Sequence, residues 1–166
     1  MLEWSEIVLR LGAATLAGAL IGLNRDLHDK PIGLRTLGLV GLATSMIVVL
    51  ADSSDGAAKT FDATSRIIQG ILTGIGFLGA GVIIHRANRS RVQGLTSAAC
   101  TWLTACIGIM CGAGYWRIVI VALGITFLVL VAGGRVERRL HRALGGKETP
   151  EQKSAGPVSP ADAPPT

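Results

Sequence analysis

Apolar residues in this chain fall into five long runs separated by short polar segments: Ile7–Leu23, Thr36–Ala51, Ile67–Ile84, Leu95–Ala113 and Ile118–Ala132. A spanning helix needs about 20 residues, roughly 17–25 in practice, because the hydrocarbon core of a bilayer is about 30 Å thick. The second and fifth runs are short by that measure, and Leu34–Arg35 and Gly133–Gly134 are expected to supply the missing turns. The pattern predicts an all-α protein, a polytopic transmembrane helix bundle of about five spans.

Composition narrows the class further. Of 166 residues 49% are hydrophobic and only 16% charged, against roughly 25% charged in an ordinary soluble domain. Mean hydropathy is +0.51. These values exclude a water-soluble enzyme and a disordered chain. Cys100, Cys106 and Cys111 all lie inside apolar runs. They read as small buried residues of a reduced protein, not as a disulfide or zinc framework.

The basic residues set an expected orientation. Arg25, Lys30 and Arg35 fall in the first loop, Arg86, Arg89 and Arg91 in the third, and six more after the last span, so 12 of the 16 Lys and Arg share one side. Opposite them stand only Arg10, Lys59, Arg66 and Arg117. Positive charge stays cytoplasmic, which predicts the N-terminus outside and the C-terminus inside. Trp4, Phe61, Tyr115 and Trp116 fall at the outer boundary so defined, where amphipathic rings prefer to sit. Arg10, near the start of the first span, is expected to snorkel to the headgroups. The acidic N-terminus (Glu3, Glu6) lacks the basic region of a removable signal peptide. The net charge of +5 matches an anionic inner leaflet and calls for no nucleic-acid partner.

Three segments follow from this reading. Residues 1–134 form the transmembrane domain. Residues 135–146 form a basic amphipathic helix on the cytoplasmic side, with Val136, Leu140 and Leu144 at helical spacing among arginines. Residues 147–166 hold five of the six prolines and are expected to be a disordered tail.

Glycine is the most distinctive component. Gly70, Gly74, Gly76, Gly79 and Gly81 crowd the third span, and Gly18-x3-Gly22 and Gly108-x3-Gly112 mark the first and fourth. Small residues let membrane helices approach closely. Glycine on two sides of the third helix predicts that it is central in the bundle. Gly74-Ile75-Gly76-Phe77-Leu78-Gly79 also matches G-x-G-x-x-G. That fingerprint requires a preceding strand and an acid about 20 residues on, and neither is present.

The remaining polar residues are few. Asp62 stands four residues before Arg66 at the start of the third span, where a carboxylate can cap the helix and pair with the arginine. Thr36, Ser45, Gln69, Thr73, Thr96, Ser97, Thr101 and Thr104 are the polar groups available for interhelical hydrogen bonds. No Asp, Glu or His lies near the middle of any span, whereas ion-coupled transporters usually place ionisable groups there. His28, His85 and His141 flank basic clusters on the expected cytoplasmic side. No catalytic constellation, metal site or cofactor site is read from the chain.

The order of these pieces resembles the MgtC/SapB family of bacterial membrane proteins. The resemblance rests on Gly18-Ala19-Leu20-Ile21-Gly22-Leu23 with Arg25, on Gly33-Leu34-Arg35-Thr36, and on Asp62 with Arg66. It continues through Gly74-Ile75-Gly76-Phe77-Leu78-Gly79-Ala80-Gly81-Val82-Ile83 and Gly94-Leu95-Thr96-Ser97-Ala98-Ala99 to Trp102 and Ile107-Gly108. It marks Arg25, Arg35, Thr36, Asp62, Arg66 and Thr96 as candidate functional residues. Asn24 replaces the family's usual Glu, and Leu37 its usual His or Asn. Many relatives carry a soluble domain after the last span, where this sequence is expected to have only the proline-rich tail. The resemblance implies a protein of the bacterial inner membrane tied to growth under magnesium limitation and, in pathogens, to survival in host cells. It also implies a regulator that binds other membrane proteins, among them the proton-translocating ATP synthase, with self-association a further expectation.

Three functions therefore stand open: a non-enzymatic regulator working through helix contacts, a magnesium or other cation transporter with Asp62 at an outer vestibule, and a purely structural membrane protein.

Overall fold

The computed structural model describes residues 2–53, 61–84 and 94–143. Within them the chain forms five α-helices: α1 (Trp4–Asp26), α2 (Leu34–Ser53), α3 (Phe61–Ile84), α4 (Leu95–Gly112) and α5 (Trp116–Ala143). All five are long and apolar enough to cross a membrane. At about 1.5 Å per residue, the 18 residues of α4, the shortest, extend about 27 Å. The turns missing from the second run are supplied as the pattern requires, since α2 begins at Leu34. The loop between α1 and α2 is compact, with Asp29 and Ile32 at positive φ (51° and 65°).

Residues 1–130 cluster as one compact unit, and Val131 onward as a second, whose described part is the final stretch of α5 to Ala143. The side chains from residue 134 onward and the tail at 147–166 lie outside the described residues.

The first unit is organised around α4. Of the residues in its span 56% are buried, against 22% in α3 and 11% in the apolar part of α5. Helices α1, α2 and α4 pack against one another so closely that glycine is required at their crossings. A Cβ on Gly22 would lie 2.6 Å from Leu34 Cα, one on Gly108 would lie 2.7 Å from the Gly41 carbonyl oxygen, and one on Gly112 would lie 2.7 Å from that of Ser45. Gly18 meets the backbone of Leu37, and Gly41 that of Ala14, in the same way. Backbones this close gain dispersion contacts that lipid tails cannot match, which is how helices associate without a hydrophobic drive. Ala14, Ala17, Ile21, Leu37, Cys100, Ile107 and Cys111 fill the space between, joined by Val119 of α5.

The third helix is peripheral, which corrects the expectation that it is central. It docks through Ile71 and Ile75, which pack with Val40, Val48, Ala105 and Ile109. Among the described residues, Gly79 is the one α3 glycine with a neighbour within 4 Å of a built Cβ, the Ala98 methyl at 3.7 Å. The physical reason is that glycine permits close approach without compelling it. Branched residues one turn apart determined which face docked.

The buried hydroxyls divide between bonds within a helix and bonds between helices. Thr101 Oγ1 donates to the Ser97 carbonyl at 3.0 Å and Thr104 Oγ1 to the Cys100 carbonyl at 2.8 Å, each within α4. A threonine in an apolar helix finds its nearest acceptor four residues back, so these two do not bridge helices. Ser45 and Ser97 do: Ser45 Oγ donates to the Arg10 carbonyl at 3.4 Å, and Ser97 binds Arg25. Thr36, Gln69, Thr73 and Thr96 are exposed.

Candidate functional site

The polar chemistry of the bundle sits at its two ends, and each end is built around an arginine of α1. At the Arg10 end the guanidinium is nearly buried, with both terminal nitrogens engaged and Nε without a hydrogen-bond partner. Nη2 donates to Glu6 Oε2 at 2.8 Å, one turn earlier on the same helix. Nη1 donates to Asp52 Oδ2 of α2 at 3.1 Å and to the Gly112 carbonyl, the last residue of α4, at 2.8 Å. The final carbonyls of a helix lack intrahelical partners and carry partial negative charge, so a cation is favoured there. Gly114 follows in a left-handed conformation (φ 78°), and a Cβ on it would stand 3.2 Å from Arg10 Nη2. Arg10 thus ties three helices together. Two carboxylates and a helix C-terminus hold the side chain that the sequence offered to the headgroups.

The opposite end gathers four of the sequence-selected residues. Arg25, in the last turn of α1, is 7% exposed. Its Nη2 donates to Ser97 Oγ at 2.6 Å, in the first turn of α4, and its Nε is buried with no hydrogen-bond partner. Thr96 lies beside Ser97 and faces outward. The neighbouring Asp26 turns the other way, its Oδ2 accepting from the backbone N–H of Leu34 at 2.9 Å, at the start of α2. A carboxylate is favoured at that positive helix end. A side chain on Gly33 would collide with this carboxylate. Asp26, Gly33, Leu34, Arg35 and Thr36 line an open cleft of about 440 Å³.

Asp62 and Arg66 lie at the start of α3, away from this group. Arg66 is exposed, and the Asp62 side chain lies outside the described residues, as does its expected pairing with Arg66. Among the described residues, no three His, Cys, Asp or Glu side chains gather as a metal site would require.

The glycines chosen for helix packing divide sharply. Gly18, Gly22, Gly108 and Gly112 stand at crossings, whereas built Cβ atoms on Gly70, Gly74, Gly76 and Gly81 meet nothing within 4 Å. At about 100° per residue, Gly70, Gly74 and Gly81 share a face with Phe77, whose ring is 81% exposed. The result is an aromatic knob set between bare stretches of backbone.

Sequence reasoning missed three participants. Gly41 packs on α1 and α4 but belongs to no Gly-x3-Gly pair. Glu6 carried a readable signal, since it stands four residues before Arg10. Asp52, 42 residues from Arg10, carried none.

The model of the MgtC family matches residues 11–139. Protein SrpB of Synechococcus elongatus is 38% identical over 144 residues, covering 82% of this chain and 79% of that protein. Protein SapB of Bacillus subtilis is 37% identical over 127 residues, covering 70% of this chain and 53% of SapB. Protein MgtC of Salmonella typhimurium is 38% identical over 125 residues, covering 75% of this chain and 50% of MgtC. The chain thus spans about half the length of the latter two. No solved structure matches it.

Proposed function

The chain belongs to the MgtC family, and from that membership we propose that it is a non-enzymatic regulator in the bacterial inner membrane, acting by helix–helix contact with another membrane protein during adaptation to magnesium limitation. The contact runs through the outward face of α3. The observation that carries this reading is the contrast among glycines. Those of α1, α2 and α4 noted above are used in close crossings, while Gly70, Gly74 and Gly81 leave backbone bare beside the exposed Phe77. A bare helix face gains from a second helix what acyl chains cannot supply, through close backbone approach and weak Cα–H···O contacts. The family resemblance makes the proton-translocating ATP synthase the first partner to examine.

The test is crosslinking in native membranes followed by purification in mild detergent. A specific membrane protein should be recovered with the wild-type chain and lost with Gly74→Leu, while the variant remains folded. Recovery of self-oligomers alone, or equal recovery with the variant, overturns the reading. A parallel measurement in proteoliposomes separates it from transport. Magnesium flux that falls on Asp62→Asn would replace the regulator with a transporter.

A further inference from the structure

The N-termini of α2 and α4 lie at the same end of the bundle and are treated oppositely. At α2 the Asp26 carboxylate meets the first backbone amide. Helix α4 starts after Gly94, at φ 100°, with no side-chain cap. Its first internal bond of this kind is Ala98 N–H to the Gly94 carbonyl at 2.8 Å. The amides of Leu95, Thr96 and Ser97 therefore have no acceptor among the described residues. They form the positive end of an 18-residue helix.

What the fold brings to that end is a cation. Arg25 is more than nine-tenths buried, its one hydrogen bond among the described residues goes to the neutral Ser97 hydroxyl, and its Nε is unpartnered. Among the described residues no carboxylate reaches it, and Asp26 is committed to α2. A buried guanidinium without a counter-charge is costly, and a helix N-terminus beside it adds repulsion. Arg10 also has an unpartnered Nε, so the difference lies in counter-charge: Arg10 has two carboxylates and a helix C-terminus.

We infer that Arg25 and the first turn of α4 bind a phosphate oxyanion. The guanidinium supplies charge. The amides of Leu95 and Thr96 supply donors on the open side, where both residues are exposed. Ser97 Oγ accepts from Arg25 and keeps its own proton to donate. Diverging donors of this kind suit a tetrahedral anion with several acceptor oxygens better than chloride or a planar carboxylate. The position at the end of a span fits a lipid headgroup phosphate as well as free phosphate. This inference does not depend on the α3 contact.

The test uses the full chain in neutral detergent and phosphate-free buffer, with thermal unfolding followed by tryptophan fluorescence. One arm titrates inorganic phosphate against chloride at matched ionic strength. The other compares phosphatidylcholine bilayers with and without phosphatidic acid. A saturable rise in Tm of roughly 5 °C is expected in at least one arm, and the arm that responds identifies the source. Arg25→Gln should abolish the rise while leaving the ligand-free Tm equal or higher, because a buried unpaired charge is removed. Arg25→Lys, which loses the planar fork, should bind at least about tenfold more weakly. No saturable rise in either arm, or a rise preserved in Arg25→Gln, overturns the site. If Arg25→Gln does not fold, Ser97→Ala decides: affinity about tenfold weaker upholds the site, and unchanged affinity overturns it.

Discussion

Helices α1, α2 and α4 on one side and α3 on the other use the same residue for opposite ends. In the first group Gly18, Gly22, Gly41, Gly108 and Gly112 lie where two backbones touch, and a methyl group would strike a carbonyl or a Cα, although Gly12 and Gly38 have room for one. On α3 Gly70, Gly74, Gly76 and Gly81 meet nothing within 4 Å among the described residues, and docking falls to Ile71 and Ile75. Glycine density therefore does not locate the centre of a membrane bundle. The contrast separates glycines that build this chain from glycines left available to something outside it.

The strongest way to break the comparison is to fill a crossing. Gly108→Leu puts a branched side chain where Gly41 and Thr44 of α2 already stand. Overpacking a dense site commonly costs about 1–3 kcal/mol, and here the obstruction is backbone that cannot rotate away. A loss of about 3 kcal/mol or more is expected, seen as aggregation on size exclusion or a collapse of Tm in detergent. A folded Gly108→Leu with wild-type Tm would mean that α2 and α4 are not in contact.

Next in size is the pin at the Arg10 end. Arg10→Ala removes the link among α1, Asp52 and the C-terminus of α4, and leaves the Gly112 carbonyl without its cation. The two carboxylates are 42% and 46% exposed, so water and salt screen much of the pairing. A cost of about 1–2 kcal/mol is expected, most of it from the helix end and lost packing. Arg10→Lys should recover part of the Tm, because it keeps the charge but cannot span three acceptors at once. Asp26→Ala should cost about 1 kcal/mol, the usual value of an N-terminal cap, read as a Tm drop smaller than that of Arg10→Ala.

The readable and unreadable parts of this molecule divide along a physical line. Five helices were legible because spanning a bilayer imposes a length and a hydropathy on each segment independently of its neighbours. The start of α2 at Leu34 followed from that requirement alone. Which helices touch was not legible, because Gly18, Gly74 and Gly108 look alike until the apolar residues around them are placed in space. Arg25 was singled out, yet its burial against Ser97, 72 residues away, has no local signature. The partners of Arg10 were illegible for the same reason: Glu6 on α1 is one turn away, but Asp52 and Gly112 are brought to it by the fold. For Thr101 and Thr104 a local rule decides, the bond of a threonine hydroxyl to a carbonyl of its own helix.

The smallest effect tests the other side of the comparison, and its sign matters more than its size. Gly74→Ala adds a methyl group where a built Cβ meets nothing within 4 Å. With no clash to offset it, helix propensity favours alanine by up to about 1 kcal/mol, so the purified chain should keep or slightly raise its Tm. The same substitution at Gly41, where the Cβ would meet Ala14 of α1, should lower it. Opposite signs for one chemical change on two helices would establish that the two sets of glycines serve different partners. If Gly74→Ala instead lowers Tm, something covers α3 in the purified state. A dependence of that loss on protein concentration would identify the cover as a second copy of the chain, because only an intermolecular contact responds to mass action.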